Sequence, residues 1–320
     1  MTTKTASLNA SPSPQVNERA LFGTLARIVG WIVLIALAAT QVVPFVYTVA
    51  NSFKCLPAVN GAPTAFIPLP PATDCFAENG IPLPASATAQ GATFNPTLNG
   101  YREIFAEDFP RWTFNTAFLS IAVMLLRLTF DSLAGYALAR LRFPGNRLMF
   151  LIILGTLMIP GVVLIIPRFI MLKQLGMLNT YQGVIIPLMA DAFGIFLMKQ
   201  FFESIPGEIE EAAMVDGASR FTIFFQIVLP MATPALTALA IFSFQGMWNN
   251  FMDVLVIVQG NRDLWTLPLG LAFLRGQSGE TLDWTVFLAG SVLTTLPLAV
   301  IFFMFQRYFV EGVSYSGLKG

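Results

Sequence analysis

The chain contains no histidine. That absence excludes Ser-His-Asp catalysis, histidine proton relays and most transition-metal sites. Charge is scarce too: charged residues make up 11% of the chain, where an ordinary soluble domain has about a quarter. Basic and acidic residues balance at 18 each, so nothing points to a nucleic-acid partner. The sequence has no Gly-x-x-x-x-Gly-Lys-Ser/Thr phosphate loop and not one Gly-Lys dipeptide. ATP hydrolysis, if the chain depends on it, has to come from another subunit.

What fills the chain instead is apolar: 55% of the residues are hydrophobic. A transmembrane helix needs about 20 mostly apolar residues to cross a hydrocarbon core of about 30 Å. Six segments meet that test, near Leu25–Val49, Trp112–Ala137, Leu148–Pro167, Gln182–Phe202, Leu229–Val258 and Val286–Tyr308. In lipid they are expected to be helices, because an unpaired backbone amide there has no water to bond. The expectation is an all-α integral membrane protein of six spans, with Pro160, Pro187, Pro234 and Pro297 bending helices.

Short basic loops set the orientation. Arg140, Arg142 and Arg147 follow the second span with no acid among them, which marks that link as cytoplasmic. Both termini and a loop over residues 203–228 then fall on the same side. Residues 1–24 read as a polar disordered tail before a retained first anchor at 25–49. A long external loop follows at 50–111, then a five-helix core at 112–308 and a short cytoplasmic tail at 309–320.

The external loop holds the chain's two cysteines, Cys55 and Cys75. Two cysteines in one extracytoplasmic segment suggest a disulfide worth about 3 kcal/mol against the unfolded chain; the alternative is two free thiols. Thr97–Phe105 reads as an amphipathic helix leading into the second span. Arg168–Tyr181 reads as an interfacial helix. The tryptophans of 259–284 suit a membrane boundary, or a surface that docks an external protein.

The most informative stretch is a polar island between the fourth and fifth spans. In Ile205-Pro-Gly-Glu-Ile-Glu-Glu211, Pro206 suits a first helical turn and the acids favour the helix's positive end. Ala212 and Ala213 are small enough to let another backbone approach, and Gly217 can take the left-handed conformation that ends a helix. An amphipathic turn over Phe221–Ile227 leads back to the membrane at Pro230. Two short helices exposed beneath a bilayer make a knob suited to a cleft.

Glu211-Ala212-Ala213, then Asp216-Gly217-Ala218, then Ile227-Val-Leu-Pro230 resembles the EAA loop of permease subunits in bacterial ABC importers. The resemblance continues in Asn99-Gly-Tyr-Arg, Tyr136-Ala-Leu-Ala-Arg140-Leu-Arg-Phe-Pro144-Gly, Leu175-Gly-Met-Leu-Asn-Thr180-Tyr and Gln306-Arg-Tyr-Phe-Val-Glu-Gly312. It covers roughly 96–320 and is similar to carbohydrate-uptake permeases, specifically the maltose-type second permease subunit. The resemblance implies the type I importer permease fold in a bacterial inner membrane. It also implies a second, different permease, two ATP-binding subunits that hold ATP and Mg, and an extracytoplasmic solute-binding protein. The EAA loop would be the coupling helix: Glu211 would meet a basic residue of the ATPase, and Gly217 would shape the bend. No cofactor is expected on this chain.

Polar residues inside spans are costly and often functional. Arg127 and Asp131 stand four apart and can pair on one helix face, as a self-contained ion pair or as a sugar contact. Asp191 lies mid-span, where the resembled family carries an uncharged residue. It is left open as a partner for a sugar hydroxyl, a partner for a cation on another helix, or a protonated, hydrogen-bonded acid. Trp248, Asn249, Asn250 and Asp253 lie in a stretch that resembles the family's translocation path. An aromatic ring and amides suit a pyranose face and its hydroxyls, but they suit helix packing equally. In maltose-type importers the other permease makes most sugar contacts. A di- or oligosaccharide such as maltose or trehalose is the expected cargo. The alternatives are glycerol 3-phosphate or another polyol phosphate and, remotely, a stand-alone secondary transporter.

Overall fold

The computed structural model describes residues 18–56, 59, 97–274 and 283–317, and all described regular structure is helical. The first helix, α1 (Glu18–Ser52), starts within the stretch expected as a tail. The last, α13 (Trp284–Gly317), runs on through most of the expected C-terminal tail. Between them, α2 (Asn99–Ala106) leads into α3 (Phe109–Arg140), a 32-residue helix about 48 Å long. α2 falls where the amphipathic pattern placed it, and Pro110 sits in the first turn of α3, where a missing amide costs nothing.

The three remaining spans are broken. α4 (Asn146–Leu157) turns by 96° into α5 (Gly161–Gln174) just after Pro160. α6 (Tyr181–Leu188), which carries Pro187, bends by 41° into α7 (Ala192–Ser204). α8 (Glu208–Val215) is short and lies in the polar island. α9 (Arg220–Met231) contains a π-turn over Phe224–Val228 and bends by 79° into α10 (Thr233–Trp248), which has Pro234 in its first turn. α10 ends at Asn249, and α11 (Met252–Val258) and α12 (Leu267–Leu274) follow. Among the described residues, three helices are long and apolar enough to span a membrane by themselves, and up to six spans result when each bent pair counts as one. Pro297 lies within α13, which runs unbroken past it, so only three of the four prolines mark breaks.

α3 is the central post, packing along α7 and α10 and touching α12 near its start. One apolar core surrounds its first half and includes Trp112, Leu119 and Val123 with Trp265, Leu267 and Leu269. A second surrounds its last turns, where Tyr136 meets Phe202, Ile223, Phe224 and Val228. The Tyr136 ring lies 4.9 Å from Phe224 and 5.9 Å from Phe202. α4 is held to α7 by stacking of Phe150 on Phe196 and by the Lys199 ammonium, 4.1 Å from the Phe150 ring.

The end of α1 is fastened to α2. Ser52 Oγ lies 2.8 Å from Tyr101 Oη, and the Thr97 amide donates to the Phe53 carbonyl at 2.8 Å. Residues 53 and 97 therefore meet. Cys55 is disulfide-bonded, while Cys75, the chain's other cysteine, lies outside the described residues.

Among the described residues, the tightest approach of backbone to a glycine is at Gly183, where an added Cβ would lie 2.0 Å from the Met177 carbonyl oxygen. Backbone cannot swing aside as a flexible side chain does. Gly183→Ala should therefore lower stability by roughly 1–3 kcal/mol, read as a drop in the thermal midpoint of the detergent-purified chain. An unchanged midpoint would contradict this packing.

Candidate functional site

Two regions carry the polar chemistry, one at the helix breaks and one in the polar island between α7 and α10. At the first break, α6 ends at Leu188 and α7 begins after Asp191, which frees a carbonyl and an amide within a span. Both are claimed from α3. Arg127 Nε donates to the Leu188 carbonyl at 2.8 Å, and the Asp191 amide donates to Asp131 Oδ1 at 3.0 Å. Asp131 is fully buried, and its Oδ2 lies so close to Gly194 that a Cβ there would sit 2.1 Å away. The carboxylate thus rests at the positive end of α7.

This arrangement corrects the expected Arg127–Asp131 ion pair. The Arg127 guanidinium lies 3.9 Å from Asp191, and among the described residues no Arg127–Asp131 pair comes within ion-pair distance. The i, i+4 spacing is real, but the freed backbone groups compete for both side chains. A buried unsatisfied amide or carbonyl costs about 1–3 kcal/mol, more than an exposed helix ion pair returns. Of the roles left open for Asp191, the geometry matches pairing with a cation on another helix.

The broken helices surround a cavity of about 320 Å³. Its wall includes Arg127 and Leu188, Gly161 and Val162 at the α4–α5 break, Arg168 on α5, and Asn250 and Asp253 at the α10–α11 break. Irregular backbone at membrane depth survives only inside protein or against a water-filled space, and here the α4–α5, α6–α7 and α10–α11 breaks all reach one cavity. Arg168 pairs with Asp253 by Nη1 to Oδ1. Asn250 Nδ2 donates to Asp253 Oδ2 at 2.9 Å, and the Asp253 amide donates back to Asn250 Oδ1 at 3.1 Å.

Of the residues expected along the path, Asn250 and Asp253 line the cavity, and Asp191 reaches its Arg127. Trp248 does not join them. Its ring is buried, stacks on Phe244 at 5.3 Å and donates Nε1–H to the Thr294 carbonyl of α13 at 3.2 Å. Asn249 is exposed and donates to the Gln245 carbonyl of its own helix. Arg168 was missed because its neighbours read as an interfacial helix; the 96° turn at Pro160 brings it inward.

In the island, α8 opens with Glu208, Glu210 and Glu211 in its first turn, and Pro206 lies just before the helix, not within it. Its end is a Schellman cap: the Ala218 amide bonds the Ala213 carbonyl at 3.0 Å, the Gly217 amide bonds Met214 at 3.1 Å, and Gly217 has φ of +85°. Ser219 then caps α9, its Oγ accepting from the Thr222 amide. Glu211, Ala212, Asp216, Gly217 and Pro230 are exposed, whereas Ala213 is half-buried and packs on the second core. The tip also exposes Val215 at 88% and Phe221 at 73%, an apolar display on an otherwise polar segment. Glu211 stands at a cleft of about 1310 Å³ between the island and the link after α3.

Sequence reasoning overlooked the one buried acid here. Glu210 is 3% exposed and sits 2.8 Å from Arg140 Nε. Arg140 counted among the orienting arginines of a cytoplasmic loop; the available signal was its i, i+4 spacing from Tyr136 on α3.

Residues 131–315 match the model of the binding-protein-dependent transport system inner membrane component family, and the chain belongs to that family. It is therefore an integral inner-membrane transport subunit. Among similar proteins is the arabinooligosaccharides transport system permease protein AraQ of Halalkalibacterium halodurans, 40% identical over 226 residues, or 70% of this chain and 80% of that one. The trehalose/maltose transport system permease protein MalG of Thermococcus litoralis is 33% identical over 71% of this chain and 83% of its own. A chain from a bacterial ABC transporter involved in import of the acidic polysaccharide alginate superposes with a TM-score of 0.73 at 24% identity. That match covers 93% of this chain and all of the other, and the likeness is one of fold.

Asp131→Ala would leave the Asp191 amide unsatisfied at the break and should cost roughly 1–3 kcal/mol; Asp131→Asn keeps an acceptor oxygen and should cost less. Thermal unfolding in detergent checks the order of the two variants.

Proposed function

We propose that this chain is one of two different permease subunits of an ATP-driven, binding-protein-dependent importer of neutral di- or oligosaccharides. Its termini and the 203–228 loop face the cytoplasm. An extracytoplasmic solute-binding protein delivers the sugar, and two ATP-binding subunits hold ATP and Mg. The carrying observation is the island's tip: a capped helix that presents Glu211 beside exposed Val215 and Phe221. Apolar surface on a polar segment is what a cleft in a partner protein would cover, and the Schellman cap makes the knob rigid enough to transmit force.

In this mechanism, closure of the ATP-binding subunits displaces the knob, the helices around the breaks reorient, and the cavity exchanges access between the two faces. Asn250, Asp253 and Arg168 would offer hydroxyl-binding groups to a passing sugar. Cargo charge follows from the same residues: Arg127 faces Asp191, and Arg168 pairs with Asp253. Each arginine of the wall is matched by an acid, Asp253 within the wall and Asp191 beside it, which suits a neutral polyhydroxyl solute better than a phosphate. The names of the similar permeases point the same way in part, since they include arabinooligosaccharide and trehalose/maltose systems. A sn-glycerol-3-phosphate permease is also among them.

Vesicles holding the whole importer should accumulate labelled maltose or a related saccharide only with ATP and the binding protein. Glu211→Ala should cut that uptake by about tenfold, the effect of a loss of about 1.4 kcal/mol at the docking surface. Undiminished uptake with full retention of the ATP-binding subunits would overturn the coupling role. Preferential uptake of glycerol 3-phosphate would overturn the neutral-sugar reading alone.

A further inference from the structure

We propose that Glu210 is the positioning residue that ties the coupling segment to α3, so that movement of the knob becomes movement of the central helix. This inference rests on the function proposed above and assigns the internal link that such a mechanism requires.

Side chains from α3 and α9 converge on this one carboxylate of α8. Its Oε1 lies 2.8 Å from Arg140 Nε, and its Oε2 accepts from Tyr136 Oη at 3.0 Å. Arg220, at the start of α9, brings Nη1 to 3.9 Å of Oε2. Arg140 in turn donates Nη2–H to the Ile205 carbonyl, on the stretch that enters the island. α8, α9 and the end of α3 are thus joined at a single buried point, and Arg140 extends the joint to the stretch that enters the island. The other acids of the segment, Glu208, Glu211 and Asp216, are exposed and free to meet a partner.

The direction of the link matters as much as its strength. Tyr136 and Arg140 are one turn apart on the same face of α3, so Glu210 grips the helix at two places and resists both sliding and rolling. Counted back from Arg140 along α3, Arg127 stands thirteen residues away and Asp131 nine, about 20 and 14 Å at 1.5 Å per residue. Those side chains hold the backbone groups of the α6–α7 break. An unbroken helix therefore connects the buried carboxylate to the cavity wall. Removing one partner of a buried charged pair leaves the other without compensation, which makes the joint stiff against partial opening.

The test uses the complete importer in vesicles and measures saccharide taken up per ATP hydrolysed. Glu210→Gln should leave the ATP-binding subunits bound and hydrolysing within about twofold of the wild type, while uptake per ATP falls by about tenfold, corresponding to the loss of a charge-assisted contact. Arg140→Gln should behave alike, and the double variant should be no worse than the poorer single one, because both remove the same joint. Tyr136→Phe keeps every charge and should lower the ratio by about two- to threefold.

Wild-type uptake per ATP in the assembled Glu210→Gln complex would overturn the proposal, as would losses that simply add in the double variant. If Glu210→Gln does not assemble, Tyr136→Phe decides: a wild-type ratio there rejects the link. A wild-type complex that moves no saccharide with ATP would instead reject the function proposed above and leave no ratio to compare.

Discussion

Backbone left unpaired inside a membrane span must be satisfied by the protein itself, and much of this structure follows from that constraint. Three of the spans are broken, and each break frees amides and carbonyls that a continuous helix would have consumed. α3 meets the demand at the α6–α7 break with an arginine for the carbonyl and an aspartate for the amide. Charged residues in a span are normally a liability. Here their charges are absorbed by backbone dipoles and by Asp191, so the liability becomes the means of holding an interrupted helix. A straight, unbroken α3 is the condition for this, since the same helix also anchors α7 and α10 along its length.

The polar island between α7 and α10 solves a different problem. In the coupling role proposed for it, it has to be firm enough to carry force yet present surface to another protein. Firmness comes from local rules: the acids in the first turn, the left-handed glycine, the Ser219 cap and the ring packing of Tyr136 on Phe224. Surface comes from what those rules leave outside, namely Val215, Phe221 and the exposed carboxylates. The alanines divide the two tasks, with Ala213 turned into the chain's own core and Ala212 turned out. Equal treatment of the two, as small residues awaiting a partner, is therefore only half right.

Legibility in the sequence followed the range of the physics involved. Hydropathy and local motifs placed α2, α3, the island and the Gly217 bend because each depends on neighbours within a few residues. The π-turn at Phe224–Val228 and the 96° turn near Pro160 were not readable as such; proline marked a bend, not its angle. Pairings across the fold were harder still. Arg127 and Asp131 looked like mutual partners by spacing, and only the three-dimensional position of the α6–α7 break shows why each turns elsewhere. Arg168 joining Asp253 spans 85 residues, and Tyr136 joining Glu210 spans 74. No periodicity connects such positions. Trp248 belonged to a plausible aromatic-and-amide set, yet its indole proton was claimed by the Thr294 carbonyl on another helix.

The clasp between Phe53 and Thr97 has its own consequence. It sets Phe53 against Thr97, with Ser52 and Tyr101 beside them, so the end of α1 and the start of α2 hold each other in place directly. The register of α1 against α2 is therefore set at the Phe53–Thr97 contact, and a module inserted there would enter and leave the bundle at neighbouring points.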